Sequence, residues 1–213
     1  MGGATVKSGT RVSEISVLGE RAARAASGFI SLGIGPGDVV AIYLRNDFAF
    51  FEASFAAGLA GAYPTPVNWH NSPEEARYIF EDSGAKAIIV HADLYRGIEE
   101  ALPKDVPVFI VETPPEIISA YGLAAGTITL PAGTRDWEKW LLQFPPIKAG
   151  PAEPPGSMIY TSGTTGHPKG VRRASPTAEQ AAAWTAVINE VMGFSEKYGE
   201  PQKMVTVVTG PMY

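Results

Sequence analysis

The run Val39-Val40-Ala41-Ile42-Tyr43-Leu44 decides the fold. Six apolar residues without polar alternation read as a strand covered on both faces, the pattern of a parallel sheet. Two more strands of this kind follow, Lys86 to Val90 and Val106 to Val111, and Tyr63 to Asn68 is short and strand-like. Helical patterns lie between them. From Glu14 to Leu32, residues Ile15, Leu18, Ala22, Ala25 and Phe29 recur at spacings of three and four. Asp47 is placed to cap a helix over Phe48 to Ala62. Ser72 and Glu75 have capping-box spacing with Pro73 at the first helical position, and Ser83-Gly84 supplies a stop. A further helix is expected over Leu94 to Leu102. Strands alternating with helices give βαβ units. The expected class is therefore α/β, with a largely parallel sheet flanked by helices on both faces.

Beyond Val111 the pattern loosens. Thr113 to Gly126 shows no clear period, and Trp137 to Leu142 reads as an amphipathic helix with Trp137 and Trp140 on its packed face. Lys148 to Gly156 is a linker rich in proline and glycine. Ser157 to Tyr160 reads as a strand, with Val171 to Arg173 as its hairpin partner. A long helix over Thr177 to Phe194 and a strand over Met204 to Thr209 complete the chain. The expected organisation is a first α/β subdomain over residues 1–147, a linker over 148–156, and a hairpin, helix and start of a second α/β subdomain over 157–213.

Composition bounds the function. The chain has 213 residues, 45% of them hydrophobic and 18% charged, a profile of folded rather than disordered protein. The 23 glycines and 18 prolines punctuate it without forming a low-complexity block or a repeat. Without cysteine there is no disulfide framework, no thiolate metal site and no thiol nucleophile. A net charge of −5 argues against a nucleic-acid surface. Met1 to Thr10 lacks the apolar core of a secretory signal, and Val6 stands where a myristoylation pattern wants Ser or Thr. Phe48 to Tyr63 is apolar but contains Glu52 and stops at Pro64, so it reads as a buried helix rather than a membrane span. The cytoplasm is the expected compartment. His70, His91 and His167 lack metal-ligand spacing, so no metal site is expected. Glu74, Glu75, Glu81 and Asp82 read as the solvated side of a helix.

One stretch carries chemistry: Thr161-Ser162-Gly163-Thr164-Thr165-Gly166-His167-Pro168-Lys169-Gly170. Four hydroxyls and three glycines in ten residues make a poor helix and a poor strand but a good anion cradle. Glycine lets the backbone approach a phosphate, so that successive N–H groups converge on its oxygens. Lys169 adds a compact positive charge, and Arg172 and Arg173 make this corner locally basic in an acidic chain. A short Ser/Thr/Gly run is most often only a turn; here the whole string, ending Pro-Lys-Gly, sets it apart. It is not a Walker A loop, and Gly33-Ile34-Gly35-Pro36-Gly37 precedes a strand and is a connector rather than a dinucleotide fingerprint.

The string from Ile159 to Val171 closely resembles the signature loop of the adenylate-forming (AMP-binding) superfamily, which holds acyl-CoA synthetases, peptide-synthetase adenylation domains and beetle luciferases. Leu32 to Ile42 resembles that family's first helix-to-strand turn, Gly58 to Asn68 its second, and Gly210-Pro211-Met212-Tyr213 the strand end that normally precedes a His. The resemblance covers the chain from about Ser13 onward and is greatest to acyl-CoA synthetases and fatty-acid–CoA ligases.

The resemblance implies an ATP-dependent acid–thiol ligase. A carboxylic acid, fatty or related, is activated as its acyl-adenylate and passed to coenzyme A, with Mg²⁺ accompanying ATP. Thr161, Ser162, Gly163, Thr164, Thr165, Gly166 and Lys169 would hold the β- and γ-phosphates. The family's adenine pocket, its main Mg²⁺ ligand and the catalytic Lys of its small terminal domain have no counterpart in these residues. The chain is therefore expected to be an N-terminal portion, inactive alone, with no catalytic residue of its own and a tendency to pair as a homodimer. A peptide-synthetase adenylation domain and a non-catalytic phosphate-binding module are the alternatives.

Overall fold

A computed structural model describes residues 4–124, 130–131, 133–151, 155–161, 168–173, 176–191, 207–208, 210 and 212–213. The chain opens with an antiparallel hairpin, β1 (Thr5–Ser8) and β2 (Arg11–Glu14), which no sequence signal had marked. Helix α1 (Ile15–Ser31) leads through the Gly33–Gly37 connector into β3 (Val39–Tyr43). There follow α2 (Phe48–Ala60), β4 (Tyr63–Pro66), α3 (Pro73–Asp82), β5 (Ala85–His91) and α4 (Ala92–Ile98), which ends in a 3-10 turn over Glu99–Ala101. Strand β6 (Val108–Val111), helix α5 (Pro115–Tyr121), strand β7 (Arg135–Asp136) and helix α6 (Trp137–Leu141) complete the first unit. A second hairpin, β8 (Met158–Thr161) and β9 (Lys169–Arg172), precedes α7 (Ala178–Val191).

Five strands form one sheet in the order β4-β3-β5-β6-β7, every neighbouring pair parallel. The apolar runs divide by parity between its two faces, as strand geometry requires. Val40, Ile42, Leu44, Ala87, Ile89, Phe109 and Val111 face a core closed by α1, α2 and α6. Val39, Ala41, Tyr43, Ile88, Val90 and Ile110 face a second core with Ile79, Phe80 and Ile98 of α3 and α4. Each large side chain buried here contributes roughly 1.5–3 kcal/mol.

Local chemistry explains the elements. The capping box of α3 is formed: Glu75 N–H donates to Ser72 Oγ at 3.2 Å, and Ser72 N–H donates to Glu75 Oε2 at 2.8 Å. Glu52 makes the apolar α2 specific. Its buried carboxylate accepts from Arg21 Nε at 2.5 Å and from Trp137 Nε1 at 3.0 Å. Trp137 and Trp140 pack with Phe29 and Phe109, as their spacing implied. Gly28 permits that cluster, because a Cβ there would lie 2.6 Å from the Trp140 ring.

Four expectations need correction. Asp47 occupies the N-cap position of α2, but its side chain makes no cap bond; it turns to ionic partners described below. Thr113 to Gly126 is not uniformly loose: Pro114-Pro115-Glu116 starts α5, with proline in the first turn. The helix expected over Leu94 to Leu102 starts at Ala92 and tightens at Glu99. Lys169 begins β9 rather than belonging to the preceding loop. The strand expected over Met204 to Thr209 lies outside the described residues except for Val207 and Val208, which are exposed and not in a strand.

Candidate phosphate-binding site

The β8–β9 ladder pairs Met158 with Arg172, Ile159 with Val171, Tyr160 with Gly170, and Thr161 with Lys169. Thr161 and Lys169 are thus cross-strand partners at the open end of the hairpin. Ser162, Gly163, Thr164, Thr165, Gly166 and His167 join them and lie outside the described residues. Two of the seven expected phosphate contacts, Thr161 and Lys169, are therefore placed together; the other five are not located. Both placed residues are exposed, and Lys169 forms no ion pair among the described residues. An ammonium without an ion-pair partner among the described residues, set across the ladder from a hydroxyl-bearing residue, is the chemistry a polyphosphate needs.

The hairpin is anchored from below. Met158 is buried in the second core. The Tyr160 hydroxyl donates at 2.6 Å to Oδ2 of Asp82, the last residue of α3. Burial, reinforced by the Asp82 carboxylate, pushes the Tyr160 phenol well above its usual range, so it remains a donor. Gly170 serves this packing. A Cβ there would come within 2.2 Å of Met158 Cε and 2.9 Å of Tyr160 Cζ, so the third glycine of the motif makes room for its neighbours rather than for phosphate. Arg172 lies over the Tyr63 ring, 5.2 Å from its centroid, and is partly committed to β4.

The carboxyl end of the sheet, where open α/β folds bind ligands, carries a second constellation. Arg45, just after β3, pairs through Nη2 with Asp93 Oδ2 at 2.8 Å. Thr113 Oγ1 donates to the other Asp93 oxygen at 2.8 Å. The Arg45 guanidinium lies over the Trp69 and Tyr121 rings, 4.0 Å and 3.9 Å from their centroids. Arg45 N–H donates to His91 Nδ1 at 3.0 Å, which leaves the imidazole hydrogen on Nε2, 3.4 Å from Asp47 Oδ2. Asp47 also accepts from Arg11 of the first hairpin, whose Nε reaches Glu116 of α5 at 2.6 Å. Burial opposes ionisation of Asp47, but the hydrogen bonds from His91 and Arg11 and the Arg11 charge prevail and hold its carboxyl below the usual range.

Two clefts flank the sheet. One, of about 520 Å³, is mainly apolar and lies between α1, α2 and the Gly150–Ser157 segment. The other, of about 600 Å³, opens at the amino ends of β3, β5, β6 and β7 among Asp38, Lys86, Lys104, Asp105 and Arg135. Among the described residues no group of three His, Asp or Glu side chains has metal-holding geometry, and no helix is long and apolar enough to cross a membrane.

Comparison with known proteins joins these features. The long-chain-fatty-acid–CoA ligase FadD13 of Mycobacterium tuberculosis is 29% identical over 176 residues, covering 78% of this chain and 30% of the relative. A feruloyl-CoA synthase from an Amycolatopsis species is 32% identical over 163 residues, covering 72% of this chain and 26% of the relative. The chain thus spans less than a third of the length of these curated relatives. A benzoate CoA ligase from Burkholderia xenovorans superposes with a TM-score of 0.66 at 21% identity, covering 87% of this chain and 33% of that one, which supports the fold. The model of the AMP-binding enzyme family matches residues 15–213, from the start of α1 through the phosphate hairpin to Tyr213, and the chain belongs to that family.

Proposed function

We propose that the chain forms part of an ATP-dependent acid–thiol ligase that makes acyl-CoA. The observation that carries this is the β8–β9 hairpin, which presents Thr161 and Lys169, without an ion-pair partner among the described residues, at the mouth of a Ser/Thr/Gly loop in a chain of the AMP-binding family. In the first step a carboxylate oxygen attacks the α-phosphorus of ATP. The bond from that phosphorus to the bridging oxygen breaks, and pyrophosphate leaves. In the second, a thiol sulfur attacks the acyl carbon, AMP departs and the thiol proton goes to solvent. Such transfer depends on alignment and charge neutralisation. Lys169, Thr161 and the donors of Ser162, Gly163, Thr164, Thr165 and Gly166 neutralise the β- and γ-phosphates as charge grows on them. Each charge-assisted bond is worth about 1.5–3 kcal/mol. Mg²⁺ accompanies the nucleotide, and no residue described here is assigned to it.

The relatives named as fatty-acid–CoA and feruloyl-CoA ligases favour coenzyme A as the acceptor and a fatty or aryl acid as substrate. In this reading residues 1–147 form one subdomain, 148–156 a linker, and 157–213 the hairpin, α7 and the beginning of a second subdomain. Trp184 and Val191 on α7 are 67% and 75% exposed, and self-association through that face, checked by light scattering, belongs to the same proposal. The test is ATP–pyrophosphate exchange by the protein translated from the complete reading frame, across a panel of fatty and aromatic acids. Exchange that requires both ATP and an acid is expected. Exchange indifferent to every acid, or none at all, contradicts the reading.

A further inference from the structure

We propose that Asn46 is a positioning residue for the adenylation reaction, acting through the backbone of Gly210 and Met212; the role rests on the functional reading above. Its carboxamide uses both of its ends on one stretch of chain. Nδ2 donates to the Gly210 carbonyl at 2.8 Å, and Oδ1 accepts from Met212 N–H at 3.0 Å. A single side chain thus does what a neighbouring strand would do, binding a carbonyl and an N–H two residues apart. Only asparagine satisfies this pair from this position: aspartate cannot donate, and glutamine carries an extra methylene.

The clamp is built on a fixed base. Asn46 stands between Arg45 and Asp47, which are both held: Arg45 in a buried ion pair with Asp93, and Asp47 by the His91 imidazole and by Arg11. Met212 packs against the core cluster that contains Trp137 and Trp140, so it has an apolar seat as well as its hydrogen bond to Asn46. The contact joins residues 164 and 166 apart in sequence, across the whole phosphate hairpin and α7.

The placement gives the clamp its role. Asn46 follows β3 at the carboxyl end of the sheet, where α/β folds take their ligands. The phosphate hairpin is referenced to the same sheet through Tyr160–Asp82 and Arg172–Tyr63. The same sheet therefore holds both the phosphate-binding hairpin and Gly210 and Met212, and Asn46 fixes the second relative to the first. In-line transfer is sensitive to such registration, and a displacement of about 1 Å costs on the order of 100-fold. The Asn46 side chain is exposed, so its replacement opens no cavity.

The experiment compares Asn46→Ala, Asn46→Asp and Asn46→Gln in two settings. In the protein of the complete reading frame, kcat/KM for the acid should fall about tenfold or more in all three, with KM for ATP within about twofold of the parent. Acid kcat/KM unchanged, or ATP and acid KM rising together as general loosening would cause, overturns the role. In the 213-residue chain, the Met212 amide should exchange with deuterium about tenfold faster in Asn46→Ala while Val40 to Ile42 stay protected. Unchanged Met212 exchange removes the clamp whatever the enzyme does. A parent protein that exchanges pyrophosphate with no acid overturns the functional reading, and the positioning role with it.

Discussion

Strands β3 and β9 are five and four residues long; β3 leads into the Arg45–Asp47 turn and β9 leaves the Ser/Thr/Gly loop, and their surroundings are opposite. Every residue of β3 is buried, between two cores and two parallel neighbours. In β9 only Gly170 is half-buried; Lys169, Val171 and Arg172 are exposed, and the one strand partner among the described residues is β8. Helix α7, which follows, has no buried residue among those described. The sheet holds itself by burial and can support a costly ionic network at its carboxyl end. The hairpin is held by a few identifiable contacts: Met158, the Tyr160–Asp82 bond and Arg172 over Tyr63. Lys169 has no ion-pair partner among the described residues; a more deeply packed hairpin would have had to neutralise it.

The contrast is sharpest under core substitution. Trp137→Ala removes a buried ring from the Phe29–Phe109–Trp140 cluster and leaves Glu52 without its indole donor. It should cost about 3–5 kcal/mol in urea denaturation. A loss of under about 1 kcal/mol would show that the sheet does not rest on this core.

Asp47→Asn tests the ionic network, with an expected loss of about 1.5–3 kcal/mol near neutral pH. Its pH dependence has a definite sign. The folded carboxyl has a pKa below the ordinary 3.8, so its contribution is present above that value and lost as pH falls through the lowered one. Wild type should therefore lose its advantage over Asp47→Asn as acid is added, and the two urea midpoints should converge. Parallel midpoints down to the acid limit would mean that Asp47 is not ionically held.

Much of the sheet was legible because its signals are local. The apolar runs, the Ser72–Glu75 box and the Trp137–Trp140 spacing each lie within a few residues. The ionic network was not legible. Arg45, His91, Asp93 and Thr113 are brought together only when β3, β5 and β6 align in register, and Asp47 alone looks like an ordinary helix cap. The α5 start was hidden because Pro114-Pro115 reads as punctuation until its place in a first turn is seen. The first hairpin gave no cue, since residues 1–10 lack both an apolar run and a motif. Of the phosphate site, the motif was plain in sequence, but the role of Gly170 was not. Its need comes from Tyr160 and Met158 across the ladder, a contact that spacing does not reveal.

A smaller effect is expected at that glycine. Gly170→Ala forces Tyr160 and Met158 aside and should cost about 1 kcal/mol, because the exposed hairpin can yield. The change should appear as faster deuterium exchange in β8 and β9 with β3 and β5 unaltered. Global destabilisation as large as that of Trp137→Ala would show that hairpin and sheet are one cooperative unit.

The central claim, that the hairpin presents a free cation for the phosphates of ATP, is tested most directly by titrating ATP against Lys169→Ala in the protein of the complete reading frame. Lys169 is exposed and unpaired among the described residues, so the variant should unfold at the same urea concentration as its parent. Its dissociation constant for ATP should rise by about tenfold or more, the loss of one charge-assisted bond. Unchanged ATP affinity with the fold intact would contradict the account.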